Sequence, residues 1–215
     1  MTKLDIISDP ICPWCYIGKA KFDRALENRP NHSFEIEWHP YMLNPDMPPE
    51  GMDRREYLET KFGGKEGAVG VYTSIANAAE EAGVDVNFEL INRTPSTVDA
   101  HRVIHWAGLE GVQTAVVTRL FKAYFQEGKD ISDHEVLIDI TASCGIDPEV
   151  TRKLLAQDVD KDGIRARAKN AAEKGVRGVP CFIVDNHFVV QGAQSPEMWE
   201  QVIDEITAKA DQDLA

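Results

Sequence analysis

Two cysteines separated by two residues, Cys12 and Cys15, lie where an apolar run of strand length is followed by a segment with helical periodicity. The residues between them are Pro13 and Trp14. Proline is favoured at the first position of a helix, because the N–H that it lacks would have no partner there. The motif therefore predicts that Cys12 is the N-cap of a helix and that its sulfur faces the free amides of Trp14 and Cys15.

The segments around this motif predict a strand–helix–strand unit. Residues 3–7 form a short apolar run, and apolar and polar side chains alternate from residue 34 to residue 39, which is the period of a half-buried strand. Between these runs, apolar residues recur at the spacing of a helix. Such a unit has a right-handed crossover and parallel strands.

The remainder of the chain predicts a helical region, two further strands and a last helix. The expected helices lie near residues 53–62, 66–82, 97–108, 112–126, 133–144, 148–156 and 161–174. Strand-forming residues return in VPCFIVDNHFVVQGA, where a tight turn joins two short strands, and a last helix begins at Ser195. The predicted fold class is α/β, with a βαβ…ββα sheet domain formed by residues 1–48 and 166–215 and a large all-helical insertion at residues 49–165.

The charge and the cysteine content exclude several classes of protein. A formal charge of −13 argues against nucleic acid as a partner, because phosphate binding needs a basic surface. Neither a long apolar run nor a signal-peptide pattern is present, so we expect no membrane span and a cytoplasmic location. Four cysteines are too few for a disulfide-stabilised secreted fold.

Three kinds of site fit two cysteines at this spacing: a redox pair, a structural disulfide and half of a zinc site. In the redox interpretation, the helix N-terminus stabilises a thiolate at Cys12, which is the nucleophile, and Cys15 is the resolving thiol. A disulfide that closes so small a ring would stabilise the fold by only ~2 kcal/mol. A structural zinc ion needs four ligands, and Cys144 and Cys181 are isolated in the sequence. We therefore favour the redox pair and predict no metal site.

The segment GVRGVP, which ends at Pro180 directly before a predicted strand, is the expected companion of this pair. Proline is tolerated at the first residue of a strand. A cis bond between Val179 and Pro180 would expose backbone groups for an extended substrate and keep a side chain away from Cys12. We predict such a bond beside the two cysteines.

Three segments, SDPICPWCYIG, STVDAHRVIHWA and GVRGVPCFIVDNHFVVQGAQ, resemble the DsbA-like branch of the thioredoxin superfamily, and the chain is most similar to its FrnE-type subgroup. The resemblance implies a thioredoxin-like sheet domain with Cys12 and Cys15 as redox pair. It also implies a cis-proline at Pro180 and a substrate contact at Val179. The implied activity is that of a thiol:disulfide oxidoreductase acting on protein or small thiol substrates. No cofactor is expected besides the redox-active disulfide, with glutathione as a potential co-substrate.

The likeness is not complete, and two other functions stay open. Ser96 stands where the family often carries asparagine, so no polar substrate contact is transferred to it. Glutathione-dependent isomerases and transferases of the kappa-class or 2-hydroxychromene-2-carboxylate isomerase type resemble this scaffold, but they typically place serine where this chain has Cys12. A non-catalytic binding module with vestigial or metal-bound cysteines would show no disulfide exchange. No oligomeric state is predicted.

Other residues are also candidates for a role in the site. Pro13 and Trp14 are predicted substrate contacts, since a part-exposed tryptophan offers a flat apolar surface. Cys181 is interpreted as a core residue rather than a third redox thiol, because free cysteine is among the most buried residue types. His101 and His105 have metal-ligand spacing but no third ligand, so packing is favoured. The basic run at residues 161–177 is interpreted as a solvated helix face, with positive potential near Cys12 as the alternative.

Overall fold

The structure, a computed structural model, describes residues 1–213. Its strands are β1 (Thr2–Ser8), β2 (Phe34–Pro40), β3 (Met52–Asp53), β4 (Arg93–Thr94), β5 (Cys181–Val184) and β6 (Phe188–Gln191). The main sheet has the order β2–β1–β5–β6. β1 and β2 are parallel, whereas β5 is antiparallel to both β1 and β6. The sheet therefore joins strands from two distant parts of the chain.

The helices in the described part of the chain are α1 (Pro13–Asn28), α2 (Arg54–Phe62), α3 (Lys65–Ala82), α4 (Val98–Leu109), α5 (Gln113–Phe125), α6 (His134–Ser143), α7 (Pro148–Leu155), α8 (Lys161–Glu173) and α9 (Pro196–Asp213). A short 3-10 helix covers Phe88–Leu90. Acidic N-caps accept backbone N–H groups at the starts of α2, α6 and α7. Such caps satisfy amides that the first turn leaves unpaired, and they fix where these helices begin.

Alternate residues of β1 face opposite sides of the sheet. Leu4 and Ile6 are fully buried in the main core, together with Phe22 of α1 and Trp199 of α9. The rings of Phe22 and Trp199 pack edge to face with 4.8 Å between their centroids. Ile7 lies in a second, smaller core on the other side of the sheet, which α8 partly covers. The sheet thus has helices on both faces.

α1 also packs against the helical segment, which we define as α2 to α8. Tyr16, the residue after Cys15, stacks on Phe121 and Phe125 of α5 with centroid distances of 5.4 and 5.6 Å. Trp38 of β2 donates a hydrogen bond from Nε1 to the hydroxyl of Thr114 at 2.9 Å. The start of α1 is therefore fixed by the helical segment as well as by the sheet.

The predicted α/β fold class is confirmed, and the seven helices expected in the helical segment lie within one residue of their predicted ends. The structure adds a ladder between β3 and β4 within the segment that we expected to be entirely helical. Two residues per strand are too few to show an alternating pattern. The domain limits at residues 48 and 165 stay predictions, and residues 214 and 215 lie outside the described residues. Across residues 1–213, no helix combines the length and apolar character needed to cross a membrane.

Candidate active site

Cys12 occupies the position that the motif predicts. It is the N-cap of α1, with extended backbone angles of φ −87° and ψ 113°, and Pro13 is the first helical residue. Its N–H donates to the carbonyl oxygen of Asp9 at 2.9 Å, and its own carbonyl oxygen accepts from the N–H groups of Cys15 and Tyr16 at 3.1 and 3.3 Å. The backbone of Cys12 is therefore held from both sides.

The Cys12 side chain meets a loop that is distant in sequence. The peptide bond between Val179 and Pro180 is cis. The Cys12 thiol donates a hydrogen bond to the carbonyl oxygen of Val179, with 3.6 Å between Sγ and oxygen. We expected the sulfur to face the free amides of the first turn; it forms no side-chain capping hydrogen bond with them. Sulfur is a weak hydrogen-bond acceptor, and the thiol instead donates a hydrogen bond to a carbonyl group.

Cys15 lies deeper than Cys12, with 1% of its surface exposed against 3%. Burial raises the pKa of Cys15 well above its usual value, and a hydrogen bond with the Cys12 thiol raises it further. Hydrogen bonds from the Ser8 side chain and the Asp9 backbone N–H act in the opposite direction. All four cysteines are free thiols. In this dithiol form, Cys15 therefore keeps its proton at neutral pH.

The residues expected to contact substrate differ in exposure. Trp14 is 38% exposed, which leaves much of its ring available to a partner. Pro13 and Val179 are half-buried, and Pro180 is buried. The first turn of α1 thus carries an exposed aromatic ring next to two buried thiols.

Gly18, one turn after Cys15, sets how closely α1 approaches the cis-proline. A Cβ atom at this position would lie 2.9 Å from Cγ of Pro180 and 3.4 Å from Cα of Ala193. Only glycine avoids the first of these contacts. Sequence reasoning did not single out this residue, although it belongs to the quoted motif.

A family model for the DSBA-like thioredoxin domain matches residues 3–204. The chain belongs to this family. The match includes the strands of the main sheet, the whole helical segment and the first half of α9, and it confirms the family resemblance. The FrnE-type subgroup stays a prediction.

A sequence relative, the uncharacterized protein YwbO of Bacillus subtilis (strain 168), is 29% identical over 205 residues, which cover 93% of this chain and 94% of YwbO.

Solved structures share the DSBA-like fold along nearly the whole chain. The probable DsbA oxidoreductase SCO1869 from Streptomyces coelicolor is 29% identical, with a TM-score of 0.83 over 95% of this chain and 89% of that one. A 2-hydroxychromene-2-carboxylate isomerase is 16% identical, with a TM-score of 0.72 over 99% of both chains. The cytosolic disulfide reductase DsbM from Pseudomonas aeruginosa, solved with GSH, is 18% identical, with a TM-score of 0.67 over 96% of this chain and 99% of that one. The last two show the fold alone.

Asp9, three residues before Cys12, was missed by the sequence analysis. Its side chain is fully buried. Oδ2 accepts a hydrogen bond from the N–H of Leu43 at 2.7 Å, and Oδ1 accepts one from the N–H of Ile11 at 3.3 Å. Burial raises the pKa of Asp9 to about 7, although these hydrogen bonds and one with Thr97 oppose the rise. An aspartate between a strand and a helix is typical of a surface turn, so its residue type did not indicate that it is buried.

Cys181 is a core residue, as the sequence analysis favoured. It has no exposed surface, and its Sγ accepts a hydrogen bond from Nε2 of Gln191 at 3.2 Å. It packs with Ile7 and Val176 in the smaller core, whereas Cys12 belongs to the main core. Burial raises the pKa of the Cys181 thiol.

The two histidines of α4 have separate partners. Nε2 of His101 hydrogen-bonds to the carbonyl oxygen of Tyr41 at 2.9 Å. Nδ1 of His105 lies 3.1 Å from the guanidinium group of Arg167. Both rings therefore contact protein groups, and their role stays a prediction.

Asp5, Glu37 and His39 lie on the face of the sheet that α8 partly covers. Their potential ligand atoms are within 4.8 Å of one another. Lys3 pairs with Asp5 at 3.0 Å and with Glu37 at 3.3 Å. Arg167 of α8 lies 3.2 Å from Nδ1 of His39. Protein cations already neutralise this cluster, so it is a poor site for a metal ion. Other members of the basic run pair along the surface of α8, as a solvated helix face does.

Proposed function

We propose that this protein is a thiol:disulfide oxidoreductase in which Cys12 exchanges disulfides with the substrate and Cys15 resolves the mixed disulfide. The observation that carries this proposal is the 3.6 Å contact between the Cys12 sulfur and the carbonyl oxygen of Val179, beside buried Cys15 and the cis bond to Pro180. A substrate that lies along residue 179 would reach the nucleophile. Membership of the DSBA-like family and the likeness to SCO1869 support the same reaction class.

The reaction in the oxidising direction proceeds through a mixed disulfide. A substrate thiolate attacks the sulfur of Cys12 in the Cys12–Cys15 disulfide, a bond forms between these two sulfurs, and the electron pair of the broken bond leaves on Cys15. The raised pKa of Cys15 favours uptake of a proton at this point. A second substrate thiolate then attacks the substrate sulfur, and Cys12 leaves as a thiolate. The substrate loses two electrons and the enzyme gains them; the reducing direction reverses these steps.

Glutathione is the co-substrate that we propose for resetting the pair. It is a thiol of the chemical class that the two cysteines would exchange with, and a cytosolic pool of it sets the redox poise. DsbM, which shares the fold, was solved with GSH. A cytoplasmic location stays a prediction. Trp14, Pro13 and Val179 are the proposed contacts for the bound substrate.

A glutathione-dependent isomerase is the second candidate, because the fold is shared with a 2-hydroxychromene-2-carboxylate isomerase. Such an enzyme activates the thiol of glutathione and does not need its own pair of cysteines. The substitution Cys12→Ser separates the two functions. Under our proposal disulfide exchange is lost, whereas glutathione transfer by an isomerase would survive.

The experiment that tests the proposed function is a redox titration with glutathione, followed by alkylation and peptide mass spectrometry. We expect a disulfide between Cys12 and Cys15 to form in a two-electron transition, while Cys144 and Cys181 are recovered as alkylated thiols. Absence of this disulfide at every accessible potential would overturn the proposal.

A further inference from the structure

The carboxyl group of Asp9 joins three parts of the molecule that are separate in sequence. It accepts backbone hydrogen bonds from Ile11, in the turn before Cys12, and from Leu43, in the segment after β2. Thr97 hydrogen-bonds to it from the start of α4. Its Oδ1 lies 4.0 Å from Nε2 of His101, one turn further along that helix. A fully buried carboxyl group therefore connects the active-site turn to the helical segment.

The backbone of Asp9 contacts both cysteines. Its carbonyl oxygen accepts the N–H of Cys12 at 2.9 Å, and its N–H hydrogen-bonds to the sulfur of Cys15. The residue that carries the buried carboxyl group therefore also hydrogen-bonds to both cysteines through its backbone.

We propose that Asp9 is a positioning residue for the pair of thiols: its carboxyl group fixes the turn before Cys12 against α4 and places a titratable charge in that turn. This inference rests on the proposed function, because it concerns the same two thiols.

The groups that face Asp9 leave its charge poorly compensated. Burial lowers the pKa of His101 on α4 to about 4 and raises that of Tyr124 on α5, so both are neutral near pH 7. Lys61 on α2 is exposed and donates hydrogen bonds to Asn44 and Tyr57. At the start of α1, Cys12 donates its N–H to the Asp9 carbonyl oxygen, and the sulfur of Cys15 accepts the Asp9 N–H. A buried charge is weakly screened, so ionised Asp9 opposes a negative charge on Cys12, whereas protonated Asp9 does not.

The test is the pH profile of Cys12 alkylation by iodoacetamide in the reduced protein, followed by peptide mass spectrometry from pH 5 to pH 9. In Asp9→Asn, we expect the pH of half-maximal alkylation to fall by about 0.5 to 1 unit, because the opposing charge is gone. The maximal rate at high pH is expected to change by less than about twofold. An unchanged profile, or a rate altered by the same factor at every pH, would overturn the proposal.

Two further variants keep this test independent of folding defects. Thr97→Val keeps the acid but removes a hydrogen bond that favours its ionised form, so the profile should shift in the same direction by a smaller amount. Glu27→Gln removes an exposed acid from α1 and should leave the profile unchanged; a shift as large as that of Asp9→Asn would contradict the proposal. Alkylation does not require a Cys12–Cys15 disulfide, so these results stand apart from the glutathione titration of the proposed function.

Discussion

Cys12 and Cys181 both adjoin the Val179–Pro180 segment, yet their surroundings differ. The Cys12 thiol faces the carbonyl oxygen of Val179 at the N-terminus of α1 and lies next to Cys15. Cys181 pairs with Ile7 in the sheet, and its sulfur lies in the smaller core. Under the proposed function, the difference teaches that placement at a helix start beside a second thiol, rather than the presence of a thiol, selects the reactive cysteine.

The largest expected effect comes from removing Cys12, the proposed nucleophile. Cys12→Ser should lower the rate of disulfide exchange at least about a hundredfold, because a serine hydroxyl does not replace a thiolate in this reaction. The rate is measured with oxidised glutathione and a model protein disulfide. A variant that retained most of its activity would show that a different cysteine is the nucleophile.

The next largest effect concerns the buried pair Asp9 and His101, and it appears in how the free energy of unfolding depends on pH. The native pKa of Asp9 is raised from 3.8 to about 7, so the folded state holds a proton that the unfolded state has lost, and this contribution to stability falls across that window. The native pKa of His101 is lowered from 6.5 to about 4, so its contribution rises with pH over nearly the same range. The two contributions oppose each other in the unchanged protein.

Single substitutions should expose each contribution. The quantity to compare is the free energy of unfolding of a variant minus that of the unchanged protein. From pH 4.5 to pH 6.5, this difference should rise by about 2 kcal/mol for Asp9→Asn and fall by about 2 kcal/mol for His101→Gln. Urea unfolding at the two pH values measures both. Equal pH dependence in the two variants would contradict the assigned protonation states.

The close approach of α1 to the cis-proline is tested by Gly18→Ala. The added methyl group lies 2.9 Å from Pro180, and we expect a loss of roughly 1–3 kcal/mol in the free energy of unfolding together with slower disulfide exchange. Gly70→Ala in α3 is the matched control, because no atom lies within 4 Å of a Cβ there. That control should be stabilised by up to about 1 kcal/mol. Equal stability changes would remove the argument for a tight contact.

Cys181→Ala should give the smallest effect on activity. We expect disulfide exchange to stay within about twofold of the unchanged rate, with a stability loss of about 1 kcal/mol from the small cavity. Kinetic assays and thermal unfolding measure the two quantities. A loss of activity comparable to that of Cys12→Ser would place Cys181 in the chemistry and break the contrast between the two thiols.

Local patterns predicted most of the fold, because caps, periodicity and proline placement act over a few residues. The acidic cap and first-turn proline at Asp147 and Pro148 are an example, since α7 begins there. The ladder of β3 and β4 was not predictable, because two-residue strands depend on tertiary contacts.

The candidate site likewise has a part that local sequence predicts and a part that it does not. The N-cap position of Cys12 was predictable from the four-residue motif Cys12–Cys15. The carbonyl group that accepts from its thiol is 167 residues away, and the Leu43 N–H that donates to Asp9 is 34 residues away. Such contacts are set by how the helical segment packs on the sheet, which no local pattern contains.

The most direct test of the central claim is to trap the mixed disulfide in Cys15→Ala. Without the resolving thiol, an adduct on the nucleophile cannot be released within the chain. After incubation with oxidised glutathione, the account predicts one glutathione per chain, located on Cys12 by peptide mass spectrometry. Adducts on Cys144 or Cys181 in place of Cys12, or no adduct, would contradict it.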